Sequence, residues 1–234
     1  MADGILFRDI FKECVSLGFK KEQLIMSRVV RHPLFDINKY LEILLKKPTI
    51  FSNNCWGTYT YHQLGLEFNS PLINLYIKDS DYIKFLKNPK FYINEKIEIP
   101  YDKYLLNSNT NFPVLRIGDI YLNCNHAKNY ESAIIAWEKR KTRINWDNLI
   151  VMMQTMHPKI EEEFDKLPYK NKICFVPYKT NKKSSVYIDL IPNLPDFNIW
   201  LMSISIGKGA ILYYNPFDML LSGTVSKIVD SKSN

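Results

Sequence analysis

A chain of 234 residues, 46% hydrophobic and 24% charged, is long enough to bury a full core and has the composition of an ordinary globular protein. The net charge of +7 suits phosphorylated sugars, nucleotide phosphates or an anionic membrane face. The lysines are scattered rather than striped with aromatics, which argues against specific nucleic-acid binding.

The four cysteines, Cys14, Cys55, Cys124 and Cys174, have neither the close pairs of a zinc site nor the density of a secreted disulfide scaffold, and read as reduced intracellular thiols. No basic segment followed by an apolar core opens the chain, and no apolar run reaches the ~20 residues of a membrane span. A cytoplasmic protein is expected, with at most a peripheral contact to a membrane.

In chain order, Ile5, Leu6, Ile10, Phe11, Val15 and Leu17 fall at helical spacing, and Gly18 supplies a C-cap. Residues 18–25 resemble the tail of a helix-to-strand connection. Residues 1–34 are therefore read as a helical segment, a remnant of a longer α/β half, ahead of a main domain at 35–222 and a frayed tail at 223–234. A helix is predicted over 36–45, stopped before Pro48. From there strands and helices alternate: a strand at 49–53, a helix at 56–66, a strand at 71–77, a short helix at 80–86. A hairpin of 114–117 and 121–124 turns at Gly118-Asp119. The clearest helix covers 130–143, followed by a buried strand at 149–153 and a helix at 161–167. Further strands are predicted at 172–176, 186–190 and 210–214, and Asn215 opens a terminal turn or helix. The pattern predicts an α/β fold of three layers: a mixed, mostly parallel sheet with helices on both faces.

Cys55 is the most informative residue. It follows a strand and enters a helix, where the partial positive charge and unpaired N–H groups favour a thiolate. The competing reading is a buried cysteine that closes the strand. His126 lies beyond another strand, and strand ends are where α/β folds gather reactive groups. As a pair, His126 would deprotonate Cys55 and later protonate a leaving group, with Asp119 or Asn125 orienting the imidazole. His62 and His157 are lesser base candidates, and His32 reads as exposed. Arg140 and Arg143, about one helical turn apart, suit a phosphate or carboxylate, with Lys128 as a further cation; the competing reading is a solvated helix face. Asp79 and Asp81 read as helix caps rather than metal ligands, and no metal site is predicted. Glycine-rich nucleotide loops, the serine nucleophile elbow and the zinc-protease helix are absent.

The stretches Ser52-Asn-Asn-Cys-Trp-Gly57, Asn69-Ser-Pro71, residues 81–86 and residues 137–148 together resemble an uncharacterised bacterial family labelled as exopolysaccharide or capsule biosynthesis proteins. The likeness runs from about residue 35 to 221. What it implies is a role for Asn53, Asn54, Cys55, Trp56, Gly57, Ser70, Pro71, His126, Trp137, Arg140, Arg143, Asn145, Asp147 and Asn148. It also implies a polysaccharide-precursor or phosphorylated substrate. Longer members carry a nucleotide-binding-like half before this domain, and an acidic run where this chain has Gln154-Thr-Met-His-Pro158.

The expectation is a cytoplasmic transferase of surface-polysaccharide biosynthesis, with Cys55 and His126 catalytic and an acyl-coenzyme A donor. The substrate would be held by Asn53, Asn54, Trp56, Gly57, Ser70, Arg140, Arg143, Asn145, Asp147 and Asn148. The alternatives are a glycosyl or phosphoryl transferase that uses a nucleotide-sugar, with Cys55 structural, and a non-catalytic glycan-binding or assembly module.

Overall fold

The computed structural model describes residues 13–20, 24, 27–30, 34–100, 111–187 and 215–223. The strand predicted at 210–214, most of the helix predicted at 5–17, and His32 lie outside them. Four parallel strands form the main sheet in the order β1 (Thr49–Ser52), β5 (Leu149–Gln154), β6 (Lys172–Val176) and β7 (Ser185–Tyr187). Thr49 is in register with Leu149, and Val151 with Lys172. The antiparallel strands form a sheet of their own: β2 (Ile97–Glu98), β3 (Val114–Ile117) and β4 (Ile120–Asn123). Gly118, at φ +56°, makes the predicted hairpin turn.

Side-chain alternation along the parallel strands builds two cores. Phe51, Val151, Met153, Cys174 and Val176 point to one side. There they meet α4 (Asp79–Lys87), α5 (Pro89–Asn94), the small sheet, α6 (Tyr130–Lys141) and α7 (Pro158–Asp165). Ile50, Ile150, Met152, Ile173 and Phe175 point to the other side, against α2 (Ile37–Lys46), α3 (Trp56–Gln63) and α8 (Pro216–Ser222). The same core takes in Val29 from the short helix α1 (Ser27–Val30). The three-layer α/β expectation holds, with helices on both faces of a mostly parallel sheet.

Local chemistry explains the helix ends. Asp36 caps α2 by accepting from the N–H groups of Asn38 and Lys39, and Lys47 ends it in the left-handed region. Asn129 and Ser132 form a reciprocal capping box on α6.

The strand predicted at 71–77 is instead an irregular buried segment. Leu72, Ile73, Leu75 and Ile77 are almost fully buried, but Asn74 takes φ +60° and breaks the extension. Side chains and remote backbone satisfy its polar groups. The Leu72 N–H donates to Ser70 Oγ (3.2 Å) and the Asn74 N–H to Thr58 Oγ1 (2.9 Å). Tyr76 exchanges backbone hydrogen bonds with Asn123, and the Ile77 N–H donates to the Asn53 carbonyl. A short apolar run has the same periodicity whether it pairs or not.

Candidate functional site

At the carboxyl ends of β1 and β5, Asn53 is buried and tied to both strands. Its amide donates to the Gln154 carbonyl (2.8 Å) and to Asp79 Oδ1 (3.2 Å), and its Oδ1 accepts from the Gln154 N–H (3.0 Å). Asn54 donates to Gln154 Oε1 (3.0 Å). The Thr155 hydroxyl donates to Asp79 Oδ2 (2.6 Å) and accepts from the His157 N–H (3.1 Å). Asp79 is half-buried, and burial raises its pKa. The Thr155 and Asn53 hydrogen bonds and the nearby His157 charge act in the opposite direction. The sequence read Asp79 as a helix cap, but the capping position belongs to Lys78, and the Asp79 carboxylate faces the strand ends.

Cys55 stands at the N-terminus of α3, as expected, with its thiol partly buried. Burial pushes it up to about 11, against a counteracting hydrogen bond from Asn125. The N–H groups that would stabilise a thiolate or oxyanion are occupied: Trp56 N–H donates to Asn54 Oδ1 (2.9 Å) and Gly57 N–H to Ser52 Oγ (3.2 Å). Asn125 thus touches the cysteine instead of orienting an imidazole. Asp119 is taken up by Lys84 and Tyr92, each at 2.8 Å. His126, exposed and next to Asn125 in sequence, lines a cavity in which Cys55 has no part. Trp56 is a core residue against Phe175, with ring centroids 6.1 Å apart. Gly57 is there because a Cβ would lie 2.8 Å from Ser52 Oγ, where α3 crosses β1.

The remaining residues expected to bind substrate are divided between two other places. Asn145 and Asn148 serve the amino end of the sheet, whereas Ser70 accepts from the Leu72 N–H in its own turn. Asn145 and Asn148 donate to the Lys46 carbonyl (2.8 and 3.2 Å), and the Asn145 N–H donates to Thr49 Oγ1 (2.8 Å). The Asp147 N–H closes the same turn on Asn145 Oδ1 (3.2 Å). These groups lie across the length of β1 from Cys55. Arg143 donates to the Phe68 carbonyl (3.4 Å) and pairs with Glu67 (3.3 Å).

Arg140 belongs to a cavity of about 230 Å³ between α6 and the 71–75 segment, which is also lined by Trp137, His126, Lys128, Asn74 and Cys124. It donates one N–H to the Ile73 carbonyl (3.2 Å) and lies over the Phe68 ring. Burial and then Arg143 repulsion lower its pKa. Cys124 is buried, and burial pushes its thiol up to about 12.

A further carboxylate at the strand ends escaped sequence reading. Glu161 is buried on α7 and accepts from Thr180 Oγ1 (2.6 Å) and the Tyr178 hydroxyl (3.2 Å). Nothing local in the sequence marks it, since its partners follow β6. Among the described residues no group of three or more His, Cys, Asp or Glu side chains is placed to hold a metal ion. All four cysteines are free, and no described helix is long and apolar enough to cross a membrane.

The fold and its polar strand ends define a parallel α/β domain of the kind that places ligands at the carboxyl edge of the sheet. The chain belongs to the family described as a domain of unknown function, DUF1919, which matches residues 26–220. It is similar to an uncharacterized protein of Haemophilus influenzae, 32% identical over 209 residues, which cover 84% of this chain and 94% of the relative. Neither description names an activity or a polysaccharide.

Proposed function

We propose that the chain is a transferase of surface-polysaccharide assembly that joins an acceptor hydroxyl to a sugar carried on a phosphate, with Asp79 as the base. The observation that carries this reading is the half-buried Asp79 carboxylate held between Asn53 and Thr155 at the carboxyl edge of the parallel sheet. Each oxygen accepts one protein hydrogen bond there, and a carboxylate oxygen has a second lone pair for an incoming hydroxyl. Burial raises its pKa above the ordinary carboxylate value, the direction that makes a carboxylate a stronger base. In the reaction the acceptor oxygen bonds to the anomeric carbon as the bond from that carbon to the phosphate oxygen breaks. The hydroxyl proton passes to Asp79 and the phosphate leaves with the bonding pair. Asn54 and Gln154 border this edge and present amide groups suited to sugar hydroxyls. The resemblance of the 52–57 and 137–148 motifs to polysaccharide-biosynthesis proteins supports the setting. Cys55 has no covalent role in this reading.

The test is donor consumption by the purified chain, followed by phosphorus NMR, with a panel of nucleotide-sugars and a mixture of mono- and oligosaccharide acceptors. At least one donor is expected to be consumed in an acceptor-dependent way, and Asp79→Asn to lower kcat by about 100-fold or more with KM close to that of the wild type. Undiminished turnover in Asp79→Asn, or no donor consumed across the panel, would contradict the reading.

A further inference from the structure

Two residues of α6 that line the cavity beside it, Trp137 and Arg140, carry donors left without the partner each calls for. Trp137 is 2% exposed, and its indole Nε1–H is buried with no hydrogen-bond acceptor. A buried donor in that state costs roughly 1–3 kcal/mol, so an unoccupied one asks for an explanation. Arg140, on the same helix and lining the same cavity, uses one N–H on the Ile73 carbonyl, and among the described residues it meets no carboxylate. A guanidinium has five N–H donors, which leaves most of its fork unassigned. Arg143 shows the contrast: one turn on, it is paired with Glu67.

The rest of the lining agrees in sign. Lys128 and His126 stand at the cavity and no acidic side chain lines it. Arg143 adds repulsion to Arg140, which makes the charge there more costly without a counter-ion. Pro71, Leu75, Ala133 and Ala136 supply apolar walls beyond the charged groups. At about 230 Å³ the space is smaller than a drug-sized site and suits one small group or ring.

We infer that this cavity binds a phosphate group, with the Arg140 guanidinium as its principal donor, Lys128 as an outer cation and the Trp137 ring as part of its wall. A tetrahedral anion offers acceptor oxygens in several directions, matching donors that come from separate side chains. Arginine also binds phosphate through two parallel hydrogen bonds, for which Arg140 has the free N–H groups. Assigning that phosphate to the sugar donor rests on the transferase reading above; the binding itself does not. The Asn125-His126 turn links the two places, since Asn125 reaches Cys55 at the end of β1 and His126 lines the cavity.

The experiment uses the full chain labelled with nitrogen-15 at the tryptophan indoles, titrated with inorganic phosphate, a hexose 1-phosphate, a nucleoside diphosphate and, as a neutral control, glucose. Trp137→Phe identifies the Trp137 signal by deleting it. A saturable movement of that signal with a Kd of about 1 mM or tighter is expected for at least one phosphate compound, and none with glucose. Arg140→Gln is expected to weaken the titration about tenfold or more, and Lys128→Ala by a smaller factor that salt removes. Asp79→Asn should leave the titration unchanged, so that failure of the transferase reading and failure of this one are separate results. A response to inorganic phosphate alone supports the seat and overturns its assignment to the donor. A Trp137 signal that no phosphate compound moves, or that moves equally in Arg140→Gln, overturns the inference.

Discussion

The carboxyl edge of the parallel sheet and the cavity beside α6 both gather polar side chains, but they treat them in opposite ways. At the sheet edge Asn53, Gln154, Thr155 and Asp79 satisfy one another through short, reciprocal hydrogen bonds. Around the cavity a buried indole N–H and a half-buried guanidinium remain short of acceptors. A closed network holds a functional group in one geometry, whereas open donors mark where a ligand completes the structure. Neither property follows from residue type alone, since asparagine and arginine serve as structural ties elsewhere in this chain, at Asn145 and Arg143.

Removing a member of the closed network should therefore be the most damaging change. Asn53→Ala deletes three hydrogen bonds and leaves the Gln154 N–H without its acceptor, and we expect a loss of about 3 kcal/mol in denaturant-measured stability. A loss under about 1 kcal/mol would show that water replaces the network. Cys55 should react slowly: with its thiol pushed up to about 11, alkylation by iodoacetamide at pH 8 should run about 100-fold slower than a free cysteine, and continue to speed up through pH 10. Mass spectrometry of the modified peptide checks this, and a rate that levels off near pH 7 would restore the activated thiol. Next in size, Gly57→Ala places a methyl group against Ser52 Oγ and is expected to cost about 2 kcal/mol.

The pH dependence of Asp79 has a definite sign. Burial raises its folded pKa, so the folded chain keeps this proton to a higher pH than the unfolded chain does. Its stabilising share is complete below the unfolded value of about 3.9 and is lost as pH rises through the raised folded value. The stability of the wild type relative to Asp79→Asn should accordingly fall as pH rises from 4 through that window, measured by paired urea titrations. A difference that grows with pH would mean that the hydrogen bonds from Thr155 and Asn53 outweigh burial. The smallest effect belongs to the open cavity: Trp137→Phe removes an unsatisfied donor while keeping an aromatic ring, so stability should change by no more than about 1 kcal/mol.

How far the sequence revealed this arrangement depended on distance along the chain. The continuous apolar runs of β5 and β6, the Gly118 hairpin and the long helix after Asn129 were all readable, because each is fixed by neighbours within a few residues. The 71–77 segment was misread because its burial resembles a strand's, while its hydrogen bonds come from Thr58, Asn123 and Asn53. The short helix α5 and the two-residue strand β2 were missed, being too brief to show a period. The strand-end position of Cys55 and Asn53 was legible. Their chemistry was not, since Asn53 meets Gln154 across 101 positions of sequence and burial of the thiol depends on packed neighbours. Asp79 carried the signal of an acidic residue at a helix start, which has the same appearance whether it caps the helix or faces Thr155.

The most direct measurement sets two variants side by side in the donor-consumption assay: kcat/KM for Cys55→Ala and for Asp79→Asn, each against the wild type. The account predicts that Cys55→Ala stays within about threefold of the wild type while Asp79→Asn falls by about 100-fold or more. Loss of turnover in Cys55→Ala with Asp79→Asn still active would contradict it and place the chemistry on the thiol.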